Sequence, residues 1–101
     1  MFKALPAAQL LLLAKKISPR LTIPLVVAIN EGVNRFSELA EIYPMSSRTL
    51  AKALANLETE NIVKKKADQS YCLTQKGEEL AVHAKGVAEW AMKYYGISIK
   101  I

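Results

Sequence analysis

The sequence predicts a mostly helical fold with one small β-hairpin, and three observations predict it. Two short helical patterns in succession meet at a tight turn at Tyr43 to Ser46. Two short β patterns, Ile62 to Lys66 and Tyr71 to Leu73, follow the second of those helices. Apolar helical segments stand near both ends of the chain.

Size and composition bound the answer. The chain has 101 residues and is read as one domain, 1–101. Its 51% apolar content is ample for one core and rich for a small monomer, a first sign of a subunit interface. A net charge of +5 favours a polyanionic partner, nucleic acid or an anionic membrane surface. The lone Cys72 excludes an intrachain disulfide and a cysteine metal cluster. With one histidine, His83, the chain also lacks the ligands of a typical structural zinc site, so no metal and no cofactor are expected. Such cysteine usage fits a reducing compartment, and the expected location is cytoplasmic.

The elements follow in order. Lys3 and the run ALPAAQLLLLA resemble a signal peptide, but Gln9 interrupts the run and Lys15 and Lys16 stand where a cleavage site should be. No stretch approaches the roughly 20 apolar residues that span a bilayer, so no membrane partner is expected. The segment is read as a buried first helix, about 6–17, with Pro6 in its first turn. Leu10, Leu11, Leu12 and Leu13 step about 100° each and cover its whole circumference, which requires burial on several sides. Another subunit is the simplest cover; a central core position is the alternative. Ser18-Pro19 breaks this helix. A second is expected from Thr22, with Pro24 in its first turn and Gly32 ending it. Leu25 to Ile29 leave no polar face, which places it at the domain centre. Val33 to Phe36 are read as a short strand. Ser37 is expected to cap a short third helix, SELAEIY, closed by Pro44.

Ser46 is the expected cap of the fourth helix, whose core stripe is Leu50, Leu54 and Leu57 and whose end is Asn61. A tight turn at Ala67 to Ser70 joins the two strands. Thr74 is expected to cap a long last helix with a stripe of Leu80, Ala84, Val87, Ala91 and Tyr94, widened by Trp90 and Tyr95. Two consecutive short helices with a tight turn make a helix-turn-helix, and the hairpin after them makes it a winged helix.

With Leu50 and Leu54 inward, Arg48 and Lys52 lie on the opposite side of the fourth helix, beside Ala55 and flanked by Thr49, Ala51 and Asn56. In a helix-turn-helix the N-terminal half of the second helix meets base edges, and here that half carries Ser47, Arg48, Ala51 and Lys52, with the cap Ser46 beside them as a further candidate DNA contact. Arginine can bond guanine bidentately, lysine can reach a base or phosphate, and alanine leaves room for close approach. Glu58 and Glu60 stand at the far end. Lys64, Lys65 and Lys66 make the hairpin basic on at least one side, and Gln69 near its tip can reach a groove or sugar. Such backbone contacts position a protein without reading sequence. Taken singly, the helix face is a solvated surface and the lysines protect a sheet edge. Together and in this order they point to duplex DNA.

Enzyme readings find no support: there is no Gly-rich phosphate loop, no histidine-bearing metal motif and no nucleophile elbow. His83 reads as a packed or interface histidine. Cys72 alternates with Tyr71 and Leu73, and no charged neighbour in sequence marks it as reactive. Trp90, Tyr94 and Tyr95 can line a ligand cavity between subunits, but packing is the simpler role, and a small-molecule effector has no support in the residues.

RFSEL at 35–39, SSRTLAKALANLE at 46–58, NIV at 61–63 and YCLTQKG at 71–77 resemble winged-helix transcriptional regulators of the HxlR type, and more loosely the MarR and PadR groups. The similarity spans about residues 25 to 92. It implies a homodimer through the N- and C-terminal helices (about 6–17 and 75–95), a helix-turn-helix at about 37–57 and a wing at about 62–73. The fourth helix would enter the major groove through Ser47, Arg48 and Lys52, with the lysine wing at the backbone or minor groove. It also implies that Gly77 lets the last helix approach the hairpin closely. The dimer interface expected is Leu5, Leu10, Leu11, Leu12, Leu13, Val87, Trp90 and Tyr94. The chain departs from the pattern in lacking the cysteine these proteins often carry before the first core helix, which leaves a thiol switch there unsupported. Its wing is also shorter, a compactness shared with small archaeal and viral winged-helix proteins.

The expected function is therefore sequence-specific binding of double-stranded DNA by a homodimeric regulator. The alternatives are an architectural DNA binder with little sequence preference and a winged helix used as a protein-interaction module.

Overall fold

A computed structural model describes residues 12, 13 and 15–96. Its elements are α1 (Pro19–Asn30), α2 (Phe36–Ile42), α3 (Ser47–Thr59), β1 (Val63–Lys65), β2 (Tyr71–Leu73) and α4 (Gln75–Tyr95). The strands form a two-stranded antiparallel sheet with Val63 opposite Leu73, Lys64 opposite Cys72 and Lys65 opposite Tyr71. This is the mostly helical fold with a small hairpin expected of a winged helix-turn-helix.

The centre is α1. Leu25, Val26 and Ala28 are completely buried and Val27 and Ile29 nearly so, which accounts for a run without a polar face. Leu39 of α2, Leu50, Leu54 and Leu57 of α3, and Ile62, Val63 and Tyr71 of the hairpin close around it. α1 begins earlier than expected, at Pro19, because proline suits the first helical position, where the N–H has no partner anyway. Pro24 therefore sits inside the helix rather than in its first turn and cannot donate to the Arg20 carbonyl.

Helix ends are set locally. Gly32, at φ 99°, ends α1, with the amides of Gly32 and Val33 bonded back to Ile29 and Ala28. Asn61, at φ 61°, ends α3 the same way, through Asn61 to Glu58 and Ile62 to Leu57. Thr74 accepts from the Gly77 amide at 3.0 Å and starts α4. Ser37, by contrast, caps nothing: α2 starts at Phe36 with Arg35 at the N-cap and no side-chain cap bond. Phe36 packs against the core, and that packing draws it into the helix. Val33 to Phe36 do not form a strand either. A backbone bond, from the Tyr71 amide to the Asn34 carbonyl at 2.8 Å, ties this segment to the hairpin instead.

The last helix carries its apolar stripe beyond the core. Its buried residues are Gly77, Ala81 and Ala84, while Leu80 is only partly covered. Val87, Trp90, Met92, Tyr94 and Tyr95 are exposed, as is His83. The reason is length. The 12 residues of α1 rise about 18 Å, and the 21 of α4 about 31 Å, so half of α4 overhangs the core. Of the first predicted helix, Leu5, Leu10 and Leu11 lie outside the described residues. Leu12 and Leu13 are helical and exposed.

Candidate nucleic-acid interface

α3 is positioned by burial and presented by its cap. Leu50, Leu54 and Leu57 are at most 1% exposed, so the rotation of the helix about its axis is set. Ser46, Ser47, Arg48, Thr49, Ala51, Lys52, Ala55 and Asn56 are all exposed. Two of these have structural work as well. The Ser46 hydroxyl oxygen accepts from the Thr49 amide at 3.1 Å, and its proton goes to the Thr49 hydroxyl at 3.0 Å. Arg48, Lys52 and Asn56 make no side-chain hydrogen bond and no ion pair among the described residues. The acidic end of α3 points elsewhere, and the Glu60 carbonyl there accepts from the Lys76 ammonium at 2.8 Å.

The wing separates its three lysines. Val63 is buried, and alternation puts Lys65 on the same side, where its ammonium sits 5.5 Å above the Tyr71 ring. Lys64 leaves from the other face, across from the half-buried Cys72. Lys66 begins the turn. Lys64 and Lys66 are thus the less engaged cations, and Lys65 also shields an aromatic ring.

The tip is a three-residue loop, 67–69, closed by Lys66 N–H to the Ser70 carbonyl at 2.7 Å and Gln69 N–H to the Lys66 carbonyl at 2.9 Å. Gln69 takes a left-handed φ of 74°, which puts its exposed side chain at the tip. Asp68 braces the loop by accepting from the Ser70 hydroxyl at 2.6 Å and the Ser70 amide at 3.0 Å. Those two bonds, helped by the charges of Arg35 and Lys66, hold the Asp68 carboxyl below the usual carboxylate range. Arg35 donates to the Asp68 carbonyl at 3.0 Å and lies 3.6 Å from its carboxylate.

Arg35 and Asp68 were invisible to sequence reasoning. They stand 33 residues apart, and no periodicity links them. Together they tie the tip of the wing to the start of the helix-turn-helix. The turn between α2 and α3 is anchored separately: the Tyr43 hydroxyl donates to the Pro24 carbonyl at 2.6 Å. Burial pushes the Tyr43 pKa up to about 12.

The exposed half of α4 carries Val87, Trp90 and Tyr94 of the expected interface. Trp90 meets Tyr94 and Tyr95 at ring-centroid distances of 5.7 and 5.6 Å. Among the described residues no group of three or more acidic, histidine or cysteine side chains could hold a metal ion. No described helix is long and apolar enough to cross a membrane.

A capped helix with an unpaired basic face, a turn tied to the core and a braced basic hairpin form a winged helix-turn-helix. A family model described as HxlR-like helix-turn-helix matches residues 16–98. The chain belongs to the HxlR-like helix-turn-helix family. The match takes in every element from α1 to α4. The chain is also 37% identical over 78 residues to an uncharacterized HTH-type transcriptional regulator of Methanocaldococcus jannaschii, covering 72% of this chain and 73% of that protein. HxlR-like membership carries the coarse function, DNA binding in transcription regulation.

Proposed function

We propose that this chain is a sequence-specific, homodimeric regulator of transcription, with α3 in the major groove of duplex DNA and the wing on the backbone or minor groove. The observation that carries this reading is the division of α3 into a fully buried leucine stripe and an exposed face holding Ser47, Arg48, Ala51 and Lys52. A helix so placed offers its first two turns to base edges. Arg48 and Lys52 supply direct readout, with Ser46, Thr49 and Asn56 at the margins. Lys64, Lys65, Lys66 and Gln69 hold the register without reading sequence.

Two copies pair through the N-terminal segment and the overhanging half of α4. Exposed Trp90, Tyr94 and Val87 support this, since a large contiguous apolar surface in water marks an interface. A two-fold dimer presents two recognition helices about 34 Å apart to a pseudo-palindromic site.

Selection of bound duplexes from a random pool tests this reading. An enriched motif with two half-sites is expected. Binding without enrichment leaves the architectural reading, and no binding at all leaves the protein-interaction module.

A further inference from the structure

We propose that Arg20, on the first turn of α1, is a further DNA contact that grips the phosphate backbone on a flank of α3 that the wing does not line. The proposal rests on the reading of α3 and the wing as a duplex-binding surface and extends that surface to a third element.

The first turn of α1 lies beside the helix-turn-helix. Ser18, Arg20 and Pro24 line one groove together with Tyr43, Pro44, Met45 and Thr49. Ser18 also lines a second groove, with Thr49, Lys52 and Asn56 of α3. No wing residue lines either groove. The placement follows from the bond between Tyr43 and the Pro24 carbonyl, which draws the turn onto α1. Arg20 is one helical turn before Pro24 and therefore stands on the same side of α1.

The chemistry of this position suits a phosphate. Arg20 is exposed and has no hydrogen-bond or ion-pair partner among the described residues. The groove beside it, about 420 Å³, leaves its guanidinium room to turn. A cation in the first turn of a helix opposes the helix dipole, so fold stability alone does not explain it. Lys15 and Lys16, both exposed, add positive charge five and four residues earlier in the chain.

Geometry supplies the ligand. A helix with its side chains is about 10–12 Å across, and the major groove is about 12 Å wide. With α3 in the groove, phosphates of both strands must pass along both of its sides. The wing lines neither groove beside Thr49, so it leaves the flank there without a cation of its own. On that flank the groove holding Thr49 and Arg20 is the adjoining surface, and guanidinium matches a phosphate bidentately.

The test measures affinity of the full chain for a selected duplex and a random-sequence duplex at stepped salt concentrations. Wild type is compared with Arg20→Ala, Arg20→Lys and Arg48→Ala, with thermal melts as the folding control. Arg20→Ala is expected to lower the slope of log affinity against log salt by about 0.9 and to weaken both duplexes by the same factor. Its melting temperature should hold or rise, because the unfavourable cation is gone. Arg20→Lys should keep the slope. A slope equal to that of wild type in Arg20→Ala, while Arg48→Ala loses specificity, overturns the assignment of Arg20 and leaves the proposed function standing. A wild-type chain that binds neither duplex overturns both.

Discussion

Gly77 lies against the carbonyl oxygen of Ile62 so closely that a β-carbon at this position would collide with it. That oxygen already accepts from the Thr74 amide at 3.0 Å, and the Thr74 hydroxyl donates to the neighbouring Asn61 carbonyl at 2.6 Å, so this stretch of backbone is not free to turn away. The first turn of α4, the end of α3 and the base of the wing are locked at one point. Gly77→Ala should therefore destabilise the fold by about 1–3 kcal/mol through overpacking. In a thermal melt that is a fall of roughly 4–8 °C per kcal/mol. A variant that melts with wild type would show that the backbone can give way.

Tyr43 gives a prediction at high pH. Tyr43→Phe removes the bond to Pro24 and should cost about 1 kcal/mol in urea unfolding near neutral pH. The tyrosine pKa is raised in the folded chain, from an ordinary value of about 10 to about 12. Its contribution is therefore complete below the unfolded value and is lost as pH rises through the folded one. Wild type should lose stability across that window, and Tyr43→Phe should lose less. Equal losses would remove Tyr43 as the cause.

The wing tip responds at the other end of the scale. Asp68 is held below the usual carboxylate range, so its contribution is present above the unfolded value of about 3.9 and is lost as pH falls through the folded one. Protection of the Ser70 amide, relative to its intrinsic exchange rate at each pH, should fall in acid, and Asp68→Asn should show lower protection already at neutral pH. Gln69→Gly relieves a left-handed conformation and should stabilise the hairpin by about 1 kcal/mol. Unchanged stability would mean that Gln69 is unstrained.

Two substitutions separate reading from gripping. Arg48→Ala should cost roughly 1–3 kcal/mol on a selected duplex and relax preference at one base position. Lys64→Ala should weaken all duplexes alike and lower the salt slope by about one. Lys65→Ala should act on both DNA binding and stability, since Lys65 also covers Tyr71. If Arg48→Ala weakens random and selected duplexes equally, Arg48 is a backbone contact.

The overhanging half of α4 can be tested without DNA. Trp90→Asp places a charge in the aromatic cluster and should convert a dimer to a monomer in sedimentation, with helix content unchanged. Retention of the dimer would move the interface elsewhere.

Much of this molecule was legible because its signals are local. The caps Ser46 and Thr74, the stops Gly32 and Asn61, and the stripe Leu50, Leu54 and Leu57 all act within one or two turns of backbone. So does the exposure of Arg48 and Lys52, which follows from where the leucines point. One segment was misread. At Ser37 and Val33 to Phe36 the local signal was plausible, and packing of Phe36 overrode it. In α4 the apolar pattern ran on past the point where α1 ends, and no periodicity reveals where the neighbouring helix stops.

By itself, then, the sequence determined the helices α1, α3 and α4, the hairpin and which face of α3 is basic, but not the segment 33–36, because hydrophobic period and capping are properties of neighbouring residues. Only the tertiary structure decided that Arg35 braces Asp68, that Tyr43 holds the turn to Pro24 and that Arg20 stands beside the first turn of α3. Those pairings join residues 19 or more positions apart, and they exist because packing around α1 brings distant backbone together, which leaves no regular spacing to read.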